Sequence, residues 1–446
     1  MTQPLGTVSQ PTGTVRSRSL PQLLPFYYGW VIVAVLAATG AVTMGLGGLN
    51  FGLFIKPIGD ELGVGRAAFG WAQSARQFAS AATAPIIGPL IDRFGGRLLL
   101  AFAATATGLS LASMAFVHQD WQIICLFALM GIVGMNGPGA LVTNVPVTKW
   151  FVARRAKAMA MASLGVPLGG VIFVPLTQIL IDAYGWRQAA TTLGLLGVGL
   201  IVPMALLFIR REPEDFGLLP DGRTAPTLGT SRTASPRAGT AHLRDERSWT
   251  REEALRSGSY WRLTFVFSIV MMAVSGVGVH RIPSFMDRGL DPLLISYATG
   301  LDGALAGVST FVTGMLAHRF PARVLGCAGF MLLCLASIIT TYAHTHAMVF
   351  LSMGLFGLGI GTMLLMQNYL WAEYFGRRHL GSIRGVVMPI TLFMGGIGAP
   401  ISGYVRDATG EYTSVWLGAA GLMAIGALVL LVTPKPPPPA RASAPR

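Results

Sequence analysis

Twelve long apolar stretches divide this chain, at about residues 28–54, 67–91, 98–117, 121–149, 157–181 and 189–209, then 260–284, 293–317, 323–342, 347–372, 380–404 and 413–433. A bilayer core of ~30 Å takes about 20 residues of helix to cross, so each stretch is long enough to span one. Of 446 residues, 52% are hydrophobic and 12% charged. A typical soluble domain is ~25% charged, so a water-soluble fold of this size is nearly excluded. The 56 glycines are concentrated in the apolar stretches, where they let helices approach closely in lipid. The expected fold is an all-α polytopic membrane protein, twelve transmembrane helices in two pseudo-symmetric six-helix halves.

The basic residues set the orientation. With residues 1–27 placed in the cytoplasm, 26 of the 33 Lys and Arg fall in connections on that side and five outside: Lys56, Arg66, Arg187, Arg288 and Arg406. This is the positive-inside pattern. The net charge of +14 therefore reflects orientation in a bilayer and not a nucleic-acid partner. The first half runs over 28–209, a polar central loop over 210–259, the second half over 260–433 and a cytoplasmic tail over 434–446. Both termini are expected in the cytoplasm, with a monomeric chain in the inner membrane and lipid around it. Thr250-Arg251-Glu252-Glu253 near the end of the loop has the spacing of a capping box and predicts a short helix before the seventh span. Cys125, Cys327 and Cys334 have no metal-ligand spacing. No phosphate-binding Gly-x-x-x-x-Gly-Lys-Ser/Thr and no His-Glu-x-x-His occur. No enzyme activity, cofactor or metal is expected, and any driving force is an ion gradient or the substrate's own.

An internal repeat relates the halves. Gly88-Pro-Leu-Ile-Asp92-Arg93-Phe94-Gly-Gly-Arg97 after the second span matches Gly314-Met-Leu-Ala-His318-Arg319-Phe320-Pro-Ala-Arg323 after the eighth, at an offset of 226. Asn144 through Trp150-Phe151 matches Asn368 through Tyr374-Phe375 at an offset of 224. Paired halves of this kind are the repeat logic of many transporters.

These residues carry a resemblance. Gly-x-x-x-Asp-Arg-x-Gly-x-Arg resembles the signature of the major facilitator superfamily. Tyr28-Gly29-Trp30-Val31, Lys149-Trp150-Phe151 with Arg154-Arg155, Pro213-Glu214-Asp215, and Tyr374-Phe375-Gly376-Arg377-Arg378-His379 resemble its bacterial monocarboxylate-transporter-like branch. The resemblance covers nearly all of 28–433 and implies the major facilitator fold. It also implies secondary active transport of a small organic anion, a monocarboxylate, with a proton. It places Asp92, Arg93 and Arg97 in a cytoplasmic latch whose second copy, with His318 and Arg319, is weaker. The chain departs from the animal monocarboxylate transporters in having Asp302 without an arginine on the eighth span.

A charged side chain at the bilayer centre costs ~2.5–3.5 kcal/mol on insertion scales, so each one needs a partner or a wet cavity. Arg76 and Asp302 are repeat mates at equivalent depths, which points to an ion pair between halves or to substrate and proton handling. Arg281, followed by Pro283, is a candidate to meet a carboxylate, with Arg76, His280, Asn136 and Gln73 as further substrate contacts. Asp302 and His280 are candidates to carry the proton. Asn144 and Asn368, near the cytoplasmic end, suit gating together with Asp92, Arg93, Arg97 and Arg319. Two rival readings stand beside this one: proton-coupled efflux of hydrophobic or cationic compounds, with Asp302 binding the cation, and a non-transporting membrane sensor.

Overall fold

Within lipid every backbone N–H and C=O must find a partner inside the protein, which favours helix wherever the chain crosses. The computed structural model describes residues 27–45, 47, 50–133, 150–151, 154–210, 249–376 and 379–437. It is helical throughout its ordered elements: α1 (Gly29–Gly45), α2 (Phe51–Leu62), α3 (Arg66–Ser113), α4 (Asp120–Val133), α5 (Arg155–Ser163), α6 (Gly165–Phe208), α7 (Arg251–Arg256), α8 (Gly258–Asp287), α9 (Pro292–Leu316), α10 (Ala322–Tyr342), α11 (His346–Phe375), α12 (Leu380–Thr409) and α13 (Thr413–Leu431). The N-terminal segment before 27, the heart of the central loop, the end of the fourth span and most of the tail lie outside the described residues.

The second half follows the sequence expectation within a few residues, one helix per apolar stretch. The first half differs in three places. The first span, expected as one run to 54, breaks after Gly45 and resumes at Phe51. Glycine is a poor helix former, and Gly47 takes φ +156°, outside the helical region. The second and third spans form one continuous helical element of 48 residues, which would be ~72 Å long if straight. Its two ends nonetheless meet on one face. Arg66 bonds Asp287 at 3.0 Å, as does Lys56 of α2. Glu61 of α2 pairs with Arg187, whose guanidinium donates to Ala115 O and Val117 O at 3.1 and 3.2 Å. The element therefore crosses twice, the expected connection at 92–97 being wound as helix. In α6, a second long element of 44 residues, Gly185 makes the reversal at φ +79°, which a Cβ would disfavour.

Counting two crossings each for α3 and α6, one for α1 with α2, and one each for α4 and α8 to α13 gives twelve. Seven described helices are individually long and apolar enough to span a bilayer. Phe102, Leu207, Phe311 and Leu428 are each more than 60% exposed, a surface suited to lipid and not to water.

The repeat is visible in packing at the face opposite Asp287. Trp150 Nε1 donates to Arg210 O at 3.3 Å, and its mate Tyr374 donates through its hydroxyl to Thr433 O at 3.0 Å. Each half thus ties the aromatic of its middle connection to the end of its last helix. The expected short helix is α7, where Thr250 N donates to Glu253 Oε2 at 2.8 Å and Thr250 Oγ1 accepts from Glu253 N.

The apolar cores are distributed unequally. One cluster fills the first half and continues into Ile282, Phe285, Met286, Ile295, Val349 and Met353 of the second. The other is built from residues 249–430 alone. Among the described residues the halves share a core towards the Asp287 face and not towards the opposite one.

Candidate functional site

Between the halves lies a cavity of about 410 Å³, bordered by residues of α1, α2, α3, α6, α8, α9, α11 and α12. Its charged lining residues, among those described, are Arg281 and Asp302. They form a direct ion pair, Arg281 Nη2 to Asp302 Oδ2, with both residues at most 3% exposed. The guanidinium also sits over the Phe356 ring, 4.2 Å from its centroid, a favourable cation–π placement. The pair does not exhaust its own capacity. Arg281 Nε and Nη1 and Asp302 Oδ1 have no hydrogen-bond partner, and neither does Gln73 Oε1, which also borders the cavity. Buried polar atoms are nearly always satisfied, and orphans grouped around one cavity point to a bound molecule or water. Asp302 is fixed from behind by α11, because a Cβ on Gly357 would overlap the Asp302 carbonyl oxygen.

The partner of Asp302 is thus Arg281 and not its repeat mate Arg76. Arg76 donates to Gly47 O at 2.5 Å and lies 5.7 Å from the Phe127 ring centroid; it does not border the cavity. The break between α1 and α2 leaves backbone carbonyls without helical donors, and the guanidinium is drawn to one of them. His280 also turns away. Successive residues of a helix point ~100° apart, and here the step from the cavity-lining Arg281 and Ile282 back to His280 carries its side chain towards α12. His280 Nε2 donates to Ala399 O at 2.9 Å, and Nδ1 lies 3.4 Å from the Tyr412 hydroxyl.

Three side chains converge on the carbonyls of α12. Pro400 lacks an N–H, which leaves Gly396 O without a helical donor, and the Ser74 hydroxyl of α3 takes it. Gln77 Nε2 donates to Leu392 O at 3.2 Å. With His280 on Ala399 O, this stretch of α12 is held from both halves. Sequence reasoning had no signal for Ser74 or Gln77 beyond the proline itself.

Asn368 donates back to Leu364 O of its own helix at 2.9 Å and is exposed, as are Arg93, Arg97 and Arg319. Asn136, Asn144 and the side chain of Asp92 lie outside the described residues.

The Asp287 face holds a charge network that the sequence reading did not assemble. Asp287 accepts from Lys56 and Arg66 of the first half at 3.0 Å and lies 3.6 Å from Arg406. Asp407 accepts from the backbone N–H of Arg66 and Ala67, both at 2.9 Å, capping α3 from the other half. Trp186 Nε1 donates to Glu61 at 2.5 Å, and with Arg187 alongside it holds the Glu61 carboxyl below its usual range. Partly exposed pairs contribute ~0.2–1 kcal/mol each, so removing the carboxylate shared by three cations is expected to shift the equilibrium away from closure here by roughly 1–2 kcal/mol, about five- to thirtyfold. The check is labelling of Ile282→Cys, at the seam with Gly52, by a membrane-impermeant thiol reagent after Cys125, Cys327 and Cys334 are replaced. Asp287→Asn should raise the rate, and an unchanged rate would remove the network's role in closure.

A sequence model of the Major Facilitator Superfamily matches residues 35–397 and 282–446. The chain belongs to the major facilitator superfamily. Within it, bovine (Bos taurus) monocarboxylate transporter 13 is 26% identical over 420 residues, covering 91% of this chain and 89% of that one. A probable sulfoacetate transporter of Cupriavidus necator is 24% identical over 399 residues, 86% of this chain and 89% of that one. Among solved structures, the nucleoside transporter NupG aligns with a TM-score of 0.66 at 13% identity over 92% of this chain and 99% of that one. A bacterial homologue of the lysosomal transporter Spinster, inward-facing and unoccupied, aligns at 0.63 and 15% identity over 91% and 95%. These two likenesses establish the superfamily's fold, and the chain is a multi-pass membrane transporter.

Proposed function

We propose that this transporter moves a small organic anion, a monocarboxylate, together with a proton, the halves 28–209 and 260–433 alternating access to the cavity between them. The observation that carries the reading is the buried Arg281–Asp302 pair with unpartnered atoms at a cavity. A proton on Asp302 releases Arg281 to hold the substrate's carboxylate through charge-assisted hydrogen bonds. The empty site, Arg⁺ with Asp⁻, is neutral, and so is the site loaded with both proton and anion. Loading only one leaves a net charge in a low-dielectric place, which is costly. Coupling follows because the two neutral states are the ones that rearrange readily. Gln73 borders the site, while Arg76 and His280 act as helix anchors. The relatives named for monocarboxylate and sulfoacetate transport support the substrate class. The shared core on the Asp287 face supports closure there and opening towards the cytoplasm. The excess of Lys and Arg in the alternate connections supports an orientation in the inner membrane with both termini inside.

Uptake of labelled monocarboxylates into proteoliposomes, with and without an imposed pH gradient, is the test. Accumulation is expected when the substrate side is acid. Per folded transporter, Arg281→Gln is expected to weaken transport of an acid about tenfold to a hundredfold, from the ~1.5–3 kcal/mol of a hydrogen bond to a charged group, and to weaken that of a neutral analogue far less. Equal effects on acid and amide would favour efflux of uncharged or cationic compounds instead.

A further inference from the structure

The shape and chemistry of the cavity say more about the substrate than its charge does. The unpartnered polar atoms on the cavity's border belong to Arg281 and Asp302, which pair with each other, and to Gln73. Elsewhere the described walls are dominated by apolar side chains such as Met44, Phe51, Met271, Val274, Ile360 and Leu364. Of the remaining polar lining side chains, Gln77 uses its Nε2 on Leu392 O, which leaves its amide oxygen and the Ser275 hydroxyl. The volume of about 410 Å³ is in the range of pockets that enclose sizeable organic ligands. A two- or three-carbon acid fills roughly the space of three waters at ~30 Å³ each, which would leave most of the cavity as water against walls that offer it few hydrogen bonds.

Resting on the anion reading above, we propose that the substrate is a monocarboxylate with a large apolar body, branched alkyl or aryl, its carboxylate at Arg281 and its body along the apolar walls. Filling that space expels water from apolar surface, a gain of about fourfold in affinity per added methylene. A polyhydroxylated sugar acid is disfavoured because Gln73, Gln77 and Ser275 are too few to partner all of its hydroxyls, and the rest would be buried unpaired. Methionine side chains adapt to irregular shapes, so Met44 and Met271 make the preference graded with size and tolerant of branching.

The experiment is ligand-induced thermal stabilisation of the purified transporter, titrated with acetate, propanoate, butanoate, hexanoate, 4-methylpentanoate, phenylacetate, lactate and glucuronate, with hexanamide and phenylacetamide as neutral controls. The expected result is a half-saturating concentration that falls about fourfold per methylene up to hexanoate, tight binding of 4-methylpentanoate and phenylacetate, and weak binding of lactate and glucuronate. Met271→Trp, which occupies part of the cavity, should erase the advantage of phenylacetate over propanoate. A flat series, an optimum at two or three carbons, or preference for glucuronate overturns this proposal while leaving the anion reading in place. Amides that bind as well as their acids overturn the anion reading and this proposal with it.

Discussion

Arg281→Gln or Asp302→Asn alone is expected to destabilise the folded transporter by about 3–5 kcal/mol, because each leaves the other charge buried without its partner. The double replacement is expected to cost far less than the sum, since two neutral amides in the same volume need no counter-charge. Denaturant unfolding in detergent of the wild type, both single variants and the double variant closes the cycle. Additive losses would mean that the two charges are independently solvated from the cavity, and the proton-for-anion exchange at this pair would lose its basis. The same cycle run on Arg76→Gln with Asp302→Asn is expected to be additive, since Arg76 is engaged with Gly47 O.

Gly357→Ala carries the second large effect. Helix α11 crosses α9 so closely that the added methyl overlaps the Asp302 carbonyl oxygen and lies 2.9 Å from Oδ1. Backbone cannot swing aside as a flexible side chain can, so α9 must shift. Overpacking of this kind costs typically ~1–3 kcal/mol, and here the displaced residue is the proposed proton carrier. Both thermal stability and uptake are expected to fall. Gly421→Ala, where nothing lies within 4 Å of the added methyl, is the matched control and is expected to be neutral or slightly stabilising, as alanine favours helix. If the two variants behave alike, the close approach of α11 does not fix Asp302.

The sequence carried the architecture further than the site. Twelve apolar stretches of bilayer length, sorted by Lys and Arg, left little freedom in fold, and the second half matches helix by helix. The first half strayed where glycine decides. Gly47 marks the break in the first span, and the helically wound 92–97 connection hides a reversal that apolarity alone cannot show. The candidate residues Arg281, Asp302 and Gln73 do come together at one cavity. Repeat symmetry suggested the pairing of Arg76 with Asp302 because it gives depth along a helix and not azimuth. Two side chains at equal depth can point to different neighbours, as Arg76 does. Adjacent residues differ in azimuth by a fixed angle, which separates His280 from Arg281. The Asp287 network escaped notice because orientation rules weigh basic residues and discount acids. Lys56, Arg66 and Arg406 were counted as outside charges without asking which carboxylates they serve.

The ion pairs on the Asp287 face have a strength that belongs to the medium on one side of the membrane. Lys56, Arg66 and Arg406 converge on one partly exposed carboxylate, and such contacts weaken as the screening length shrinks from ~8 Å at physiological ionic strength to ~3 Å at 1 M. The Arg281–Asp302 pair, buried beneath the shared apolar core, does not sense the same ions. On the alternating-access reading proposed above, changing salinity on that side is expected to change how often the transporter opens to it while affinity at the Arg281–Asp302 pair stays the same. Access and recognition would then rest on two charge clusters in different solvents.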